Sequence, residues 1–124
     1  MILLDASVWI DHLRRREPRL EQLLSDRQVL MHPFVVGEVA LGSIARRAAM
    51  IGLLESFPQA PVATHEEVLA LIEGKKLYGL GIGYVDVHLL ASARLADALL
   101  WTRDRRLRAA AELLKLSATF DLDG

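Results

Sequence analysis

Three apolar runs limit what this chain can fold into: Ile2-Leu3-Leu4, Val29-Leu30-Met31 and Leu99-Leu100-Trp101-Thr102. Each is too short for a buried helix, and each lacks the alternation of a half-solvated strand. A short, continuously apolar run reads as a strand covered on both faces. The segments between them carry helical signals. Val8 to Leu13 is helical, with Ser7 placed to cap it, and Pro18 suits the first turn of a helix ending near Asp26. Helical patterns follow over Pro33 to Ala45 and Arg46 to Phe57, before Pro58 and Pro61 break the chain. Thr64-His65-Glu66-Glu67 has the capping-box pattern and opens a helix to about Tyr78. Gly79, Gly81 and Gly83 form a flexible turn. An alanine-rich helix over Val85 to Ala98 and a last one over Arg105 to Leu114 complete the pattern, with a final strand expected over Leu116 to Phe120. Strands separated by helices predict an α/β fold: a three-layer α/β/α domain with a central parallel sheet of four to five short strands.

The 124 residues suit one domain, 1–124, able to bury a core without staples. There is no cysteine, which removes both a disulfide framework and a thiolate metal site. The opening meets an acid at Asp5, unlike a secretory signal, and no apolar run approaches the ~20 residues that cross a bilayer. A cytoplasmic protein without membrane contact is expected. The formal net charge is −1, so the whole molecule does not attract nucleic acid. Its cations are nevertheless grouped, at Arg14-Arg15-Arg16, Arg46-Arg47, Lys75-Lys76 and Arg103 with Arg105, Arg106 and Arg108. Such groups suit either solvated helix surfaces or phosphate contacts.

In open α/β sheets ligands bind at the carboxyl ends of the strands, where the following helices begin. Four acids fall at that edge. Asp5 ends the first strand, Glu38 lies early in the helix after the second, Asp86 opens the alanine-rich helix, and Asp104 follows the third strand. Each has a plainer explanation: a helix cap for Asp5, a distant ion pair for Glu38, a helix-dipole acid for Asp86 and a salt bridge for Asp104. Together on one edge they predict more. Clustered carboxylates raise one another's pKa, and a divalent cation relieves that repulsion. An all-oxygen set suits Mg²⁺ or Mn²⁺, ions that serve phosphoryl chemistry by activating water and steadying the leaving oxygen. Such a mechanism leaves a 5′-phosphate and a 3′-hydroxyl.

At these residues the sequence resembles the PIN-domain nucleases. Asp5-Ala6-Ser7-Val8-Trp9-Ile10 resembles the family's opening, where the aspartate ending the first strand is followed two residues later by serine or threonine. Gly37-Glu38-Val39-Ala40-Leu41-Gly42, Asp86-Val87-His88-Leu89-Leu90-Ala91-Ser92-Ala93 and Thr102-Arg103-Asp104 resemble the second, third and fourth acidic motifs. Size and opening look most like the VapC toxins. The resemblance implies an endoribonuclease with Asp5, Glu38, Asp86 and Asp104 as metal-binding catalytic residues. Ser7 and Thr102 would support them. It also implies an RNA substrate, inhibition by a VapB-type antitoxin lying over the acidic pocket, a homodimer, and contact with DNA only through the antitoxin. The glycine-rich stretch before Asp86 departs from the family's pattern.

Other readings fit less well. His65-Glu66 lacks a second histidine at Leu69 for a zinc-protease motif, and Tyr84 stands where a dinucleotide fingerprint needs its third glycine. His88 is two residues from Asp86, so they do not share a helix face, and a solvated or partner-bound histidine is expected. A haloacid-dehalogenase-type enzyme would carry an aspartate where Ser7 stands. A Mg²⁺-binding receiver-like signalling domain would carry adjacent acids where Ala6 follows Asp5. An RNA-processing PIN nuclease without an antitoxin keeps the site and changes the role.

Overall fold

The computed structural model describes residues 1–118. Along the chain run β1 (Ile2–Leu4), α1 (Ala6–Arg14), α2 (Pro18–Ser25), β2 (Val29–Leu30), α3 (Pro33–Ala40), α4 (Arg47–Ser56), α5 (His65–Lys75), α6 (Tyr84–Leu95), β3 (Leu99–Trp101) and α7 (Arg105–Leu113). The three strands form one sheet in the order β2-β1-β3. Both pairings are parallel, with Ile2 opposite Val29 and Leu99, and Leu4 opposite Trp101. β1 is therefore central, and all three of its residues are buried.

The expected α/β architecture is present, but the sheet has three described strands rather than four to five. The missing positions are reduced to single parallel bridges, Met31 with Gln59 beyond β2 and Leu100 with Ser117 beyond β3. At the first edge Gln59 lies between Pro58 and Pro61, which lack the N–H that would extend a ladder. At the second, the expected strand over Leu116 to Phe120 yields Ser117 alone, and its end lies outside the described residues. The third helical stretch is also shorter than expected. It stops at Ala40 rather than running to Ala45, and the Arg47 guanidinium donates to the carbonyls of Ala40 and Gly42. Those carbonyls are ones a helix end leaves unpaired.

α6 runs through the interior. Every residue from Val87 to Ala93 is buried, and the helix packs on β3 and α5. Its small residues, Ala91, Ser92 and Ala93, are all buried in this packing. A buried polar contact ties it to the far side of the site. His32 caps α3: its Nδ1 accepts from the Phe34 N–H at 3.0 Å. Nδ1 therefore has no proton, so Nε2 carries it and donates to Ser92 Oγ on α6 at 3.0 Å. His32 is fully buried.

Burial, and secondarily the charge on His88, lowers the His32 pKa from the usual 6.5 to about 4. Below pH 6.5 the unfolded chain takes up a proton that the folded one refuses, so the stabilisation is full above 6.5 and drains away towards pH 4. Comparing urea midpoints of the natural chain and His32→Asn, which keeps a capping oxygen, isolates this group. Between pH 7 and pH 5 the natural chain should lose on the order of 2 kcal/mol more than the variant. Equal losses would show that His32 does not titrate this way.

Candidate active site

Sheet topology places the site. β1 connects through α1 and α2 to β2 on one side, while β3 leads through α7 to Ser117 on the other. The carboxyl ends of β1 and β3 are thus neighbours whose connections leave in opposite directions, the switch point where such sheets open a crevice. Asp5 and Thr102, the residues just past these ends, lie level there. The Asp5 N–H donates to the Trp101 carbonyl at 3.1 Å.

Asp5 is only 7% exposed. It, rather than Ser7, is the N-cap of α1, and its Oδ1 accepts from the N–H groups of Ser7 at 3.0 Å and Val8 at 3.4 Å. Two hydroxyls complete the shell. Ser7 Oγ donates to Oδ1 and Thr102 Oγ1 donates to Oδ2. Each hydroxyl is itself aimed by a backbone N–H from the segment after β3, Arg103 to Ser7 Oγ at 3.1 Å and Asp104 to Thr102 Oγ1 at 3.0 Å. A helix start and a strand end nearly a hundred residues apart thus share one carboxylate. Burial raises the Asp5 pKa, opposed by the hydrogen bonds of Ser7, Thr102 and Val8.

Glu38 lies on the exposed side of α3. Its pKa is raised, first by burial, then by the charge of Asp86 and of Asp5. Both charged groups acting on it are acids. The structure therefore brings Asp5, Glu38 and Asp86 into electrostatic contact. Asp104 belongs to the same edge through Thr102. The carboxylates of Asp86 and Asp104 are turned back onto their own helices. Asp86 Oδ2 accepts from the Gly83 N–H at 2.9 Å, and Asp104 Oδ1 from Arg106 and Leu107 N–H at 2.9 and 3.0 Å. Among the described residues, no three acids or histidines converge closely enough to enclose an ion as placed. The helix starts draw off two carboxylates that would otherwise repel their neighbours.

The approach to this edge is cationic. A cleft of about 710 Å³ is lined by Leu80, Gly81, Arg103, Asp104, Arg105 and Arg106, among others. Arg106 packs against Gly81, where an added Cβ would come within 2.8 Å of its guanidinium. Gly81 has φ +76° and Gly79 φ +73°, values that favour glycine. The glycine stretch thus joins the start of α6 to that of α7. Arg103 itself is engaged with Asp11 and Glu17.

Sequence reasoning missed His88 and its neighbours. His88 is not solvated but 4% exposed, stacked edge-on between Phe34 (4.9 Å between centroids) and Tyr84 (4.7 Å). The i, i+4 spacing of Tyr84 and His88 was the available signal. Asp97, an acid away from this edge, is exposed, while Asp121 and Asp123 lie outside the described residues.

The acids at the switch point of this parallel sheet can be set beside known proteins. The PIN-domain family matches residues 2–113, and the chain belongs to it. Its relatives include Ribonuclease VapC32 of Mycobacterium tuberculosis, from strains CDC 1551 / Oshkosh and ATCC 25618 / H37Rv. Each is 51% identical over 111 residues, spanning 89% of this chain and 90% of the relative. The fold is similar to the crystal structure of PAE2754 from Pyrobaculum aerophilum, with a TM-score of 0.61, 19% identity, and coverage of 93% of this chain and 88% of that one.

Because burial and then the like charges of Asp86 and Asp5 disfavour its carboxylate, the folded pKa of Glu38 lies above its unfolded value. It adds stability only in acid, and that contribution is lost as pH rises through the raised pKa. In metal-free buffer at pH 7, Glu38→Gln should raise the thermal midpoint by about 2 °C. A lower midpoint would show that Glu38 has an attractive partner.

Proposed function

We propose that this chain is a metal-dependent endoribonuclease, the toxin of a type II toxin–antitoxin pair, with Asp5, Glu38, Asp86 and Asp104 as its catalytic carboxylates. The observation that carries the reading is Asp5: a buried carboxylate whose pKa is raised by burial and whose charge in turn helps to raise that of Glu38, at the strand ends beside Asp104, which lines the arginine-rich cleft. Likeness to a protein named Ribonuclease VapC32 supports RNA as the substrate and a VapB-type antitoxin as the partner.

The donor set fits a hard divalent cation. It is all oxygen, it carries excess negative charge, and its deepest member is desolvated. When bound, Mg²⁺ or Mn²⁺ would neutralise that charge, lower the pKa of a water and polarise a phosphate oxygen. Asp5, Glu38, Asp86 and Asp104 would hold it. Ser7 and Thr102 are positioning residues that lock both Asp5 oxygens and leave it little rotational freedom. Asp86 and Asp104 have only to exchange N–H partners for the cation. Arg105 and Arg106 offer cations to phosphates beside Asp104. Attack by water, rather than by the ribose 2′-hydroxyl, leaves a 5′-phosphate and a 3′-hydroxyl. A homodimer, a cytoplasmic site of action and DNA contact only through the antitoxin complete the reading.

The test is cleavage of total bacterial RNA by the purified, partner-free chain. Discrete fragments should form with Mg²⁺ or Mn²⁺ and disappear with chelator. Asp5→Asn should slow cleavage by roughly a thousandfold, about 4 kcal/mol of transition-state stabilisation. Cyclic phosphate ends, or cleavage that survives the chelator, would overturn the mechanism. No cleavage together with no Mn²⁺ binding would overturn the function.

A further inference from the structure

We propose that Tyr84 is a stacking platform for an unpaired nucleobase next to the phosphodiester held at the acidic edge. This assigns a base subsite to the site read above as a ribonuclease centre, and it rests on that reading for the identity of the polymer.

The platform is the outer end of a column of rings. His32 meets Phe34 at 4.9 Å and 64°, Phe34 meets His88 at 4.9 Å and 73°, and His88 meets Tyr84 at 4.7 Å and 81°. The inner members are fixed. His32 is locked between the Phe34 N–H and Ser92, and His88 is buried in α6. The outer member is open: Tyr84 is 46% exposed although it is braced from two sides. Its hydroxyl is hydrogen-bonded to His65 Nδ1 at 2.8 Å, across from α5, with the rings 5.7 Å apart. An exposed tyrosine on a glycine-rich approach would ordinarily sample several rotamers. Here the orientation is set before any ligand arrives, so less entropy is lost on binding.

Position supplies the ligand class. Tyr84 opens α6 two residues before Asp86, so the two side chains leave different faces of the same helix start, while Phe34 lies one helical turn before Glu38 on one face of α3. The column therefore reaches the acidic edge on the Glu38 side, with Asp86 on a different face of the α6 start. On the other side of Gly79–Gly83 lies the arginine-lined cleft, joined by the Arg106–Gly81 contact. An aromatic face on one flank and cations on the other match a single strand, with a base on the ring and its phosphates towards acids and arginines. A base within a duplex presents no free face to a side chain, so this site selects single-stranded segments and loops. Stacking tolerates all four bases, so the platform positions the strand and does not read its sequence.

The experiment uses a short single-stranded RNA carrying 2-aminopurine, whose fluorescence falls on stacking, titrated into the Asp5→Asn chain to suppress cleavage. Binding with quenching is expected. Adding Tyr84→Ala should abolish the quench and weaken binding roughly tenfold, whereas Tyr84→Phe, which keeps the ring and loses the bond to His65, should retain both. In the chain with Asp5 intact, Tyr84→Ala should raise KM for the same RNA more than it lowers kcat. Unchanged affinity and quench in Tyr84→Ala, even with a lower thermal midpoint, would overturn the platform and reduce Tyr84 to a fastener between α5 and α6. So would a Tyr84→Phe chain as impaired as the alanine variant, or no RNA binding at all. The two readings fail separately. RNA cleavage insensitive to Tyr84 removes the platform and keeps the nuclease. Tyr84-dependent quenching without metal-dependent cleavage removes the nuclease and keeps the base subsite.

Discussion

The carboxylate of Asp5 is the interaction on which the rest of the molecule depends. A charge so far from water is tolerated only if every lone pair has a donor or a cation. Four donors meet it. Two are backbone N–H groups at the start of α1, and two are hydroxyls, each oriented by the backbone that follows β3. The position of α1, the junction of β1 with β3 and the direction of the chain into α7 are all specified by one side chain. The same shell is why Asp5 is suited to chemistry: its rotamer is decided by the fold rather than by a ligand.

Much of this was legible in the sequence, for reasons that differ by residue. Ile2 to Leu4, Val29-Leu30 and Leu99 to Trp101 were readable because a strand buried on both faces must be continuously apolar. Asp5, Glu38, Asp86 and Asp104 could be gathered to one edge because parallel topology fixes which end of each strand meets a helix start. What could not be read was orientation. Asp86 and Asp104 are at the expected edge, yet their oxygens serve Gly83, Arg106 and Leu107, because a helix start attracts an anion as a metal does. Ser7 was read as the cap of α1; the cap is Asp5, with Ser7 bound to it. His88 was read as solvated or partner-bound, because a lone histidine between Val87 and Leu89 says nothing of the rings that α3 and the start of α6 bring to it. The edge bridges at Gln59 and Ser117 are single residue pairs, below what any periodicity can signal.

Stability and function pull against each other at this edge. Asp5 and Glu38 are held where their charged forms are disfavoured, Asp5 by burial and Glu38 by burial and the charges of Asp86 and Asp5. A fold selected for stability alone would place amides or apolar groups there. Departures from local optimum of this kind concentrate at functional sites and are offset elsewhere, here by a continuous core through β1, α6 and β3.

The span of the Asp5 shell has a consequence for the order of events during synthesis. Thr102 and Asp5 are 97 residues apart, and every pairing of β1 with β3 is equally remote. Contacts so distant along the chain close late, after the entropy of the intervening loop has been met. A ribosome that has released Asp5, Glu38 and Asp86 has therefore made most of the acids but none of the strand that seats them. Until residues 99–104 follow, Asp5 has neither the Thr102 hydroxyl nor the backbone that aims Ser7, so the acids precede the shell that orients the deepest of them.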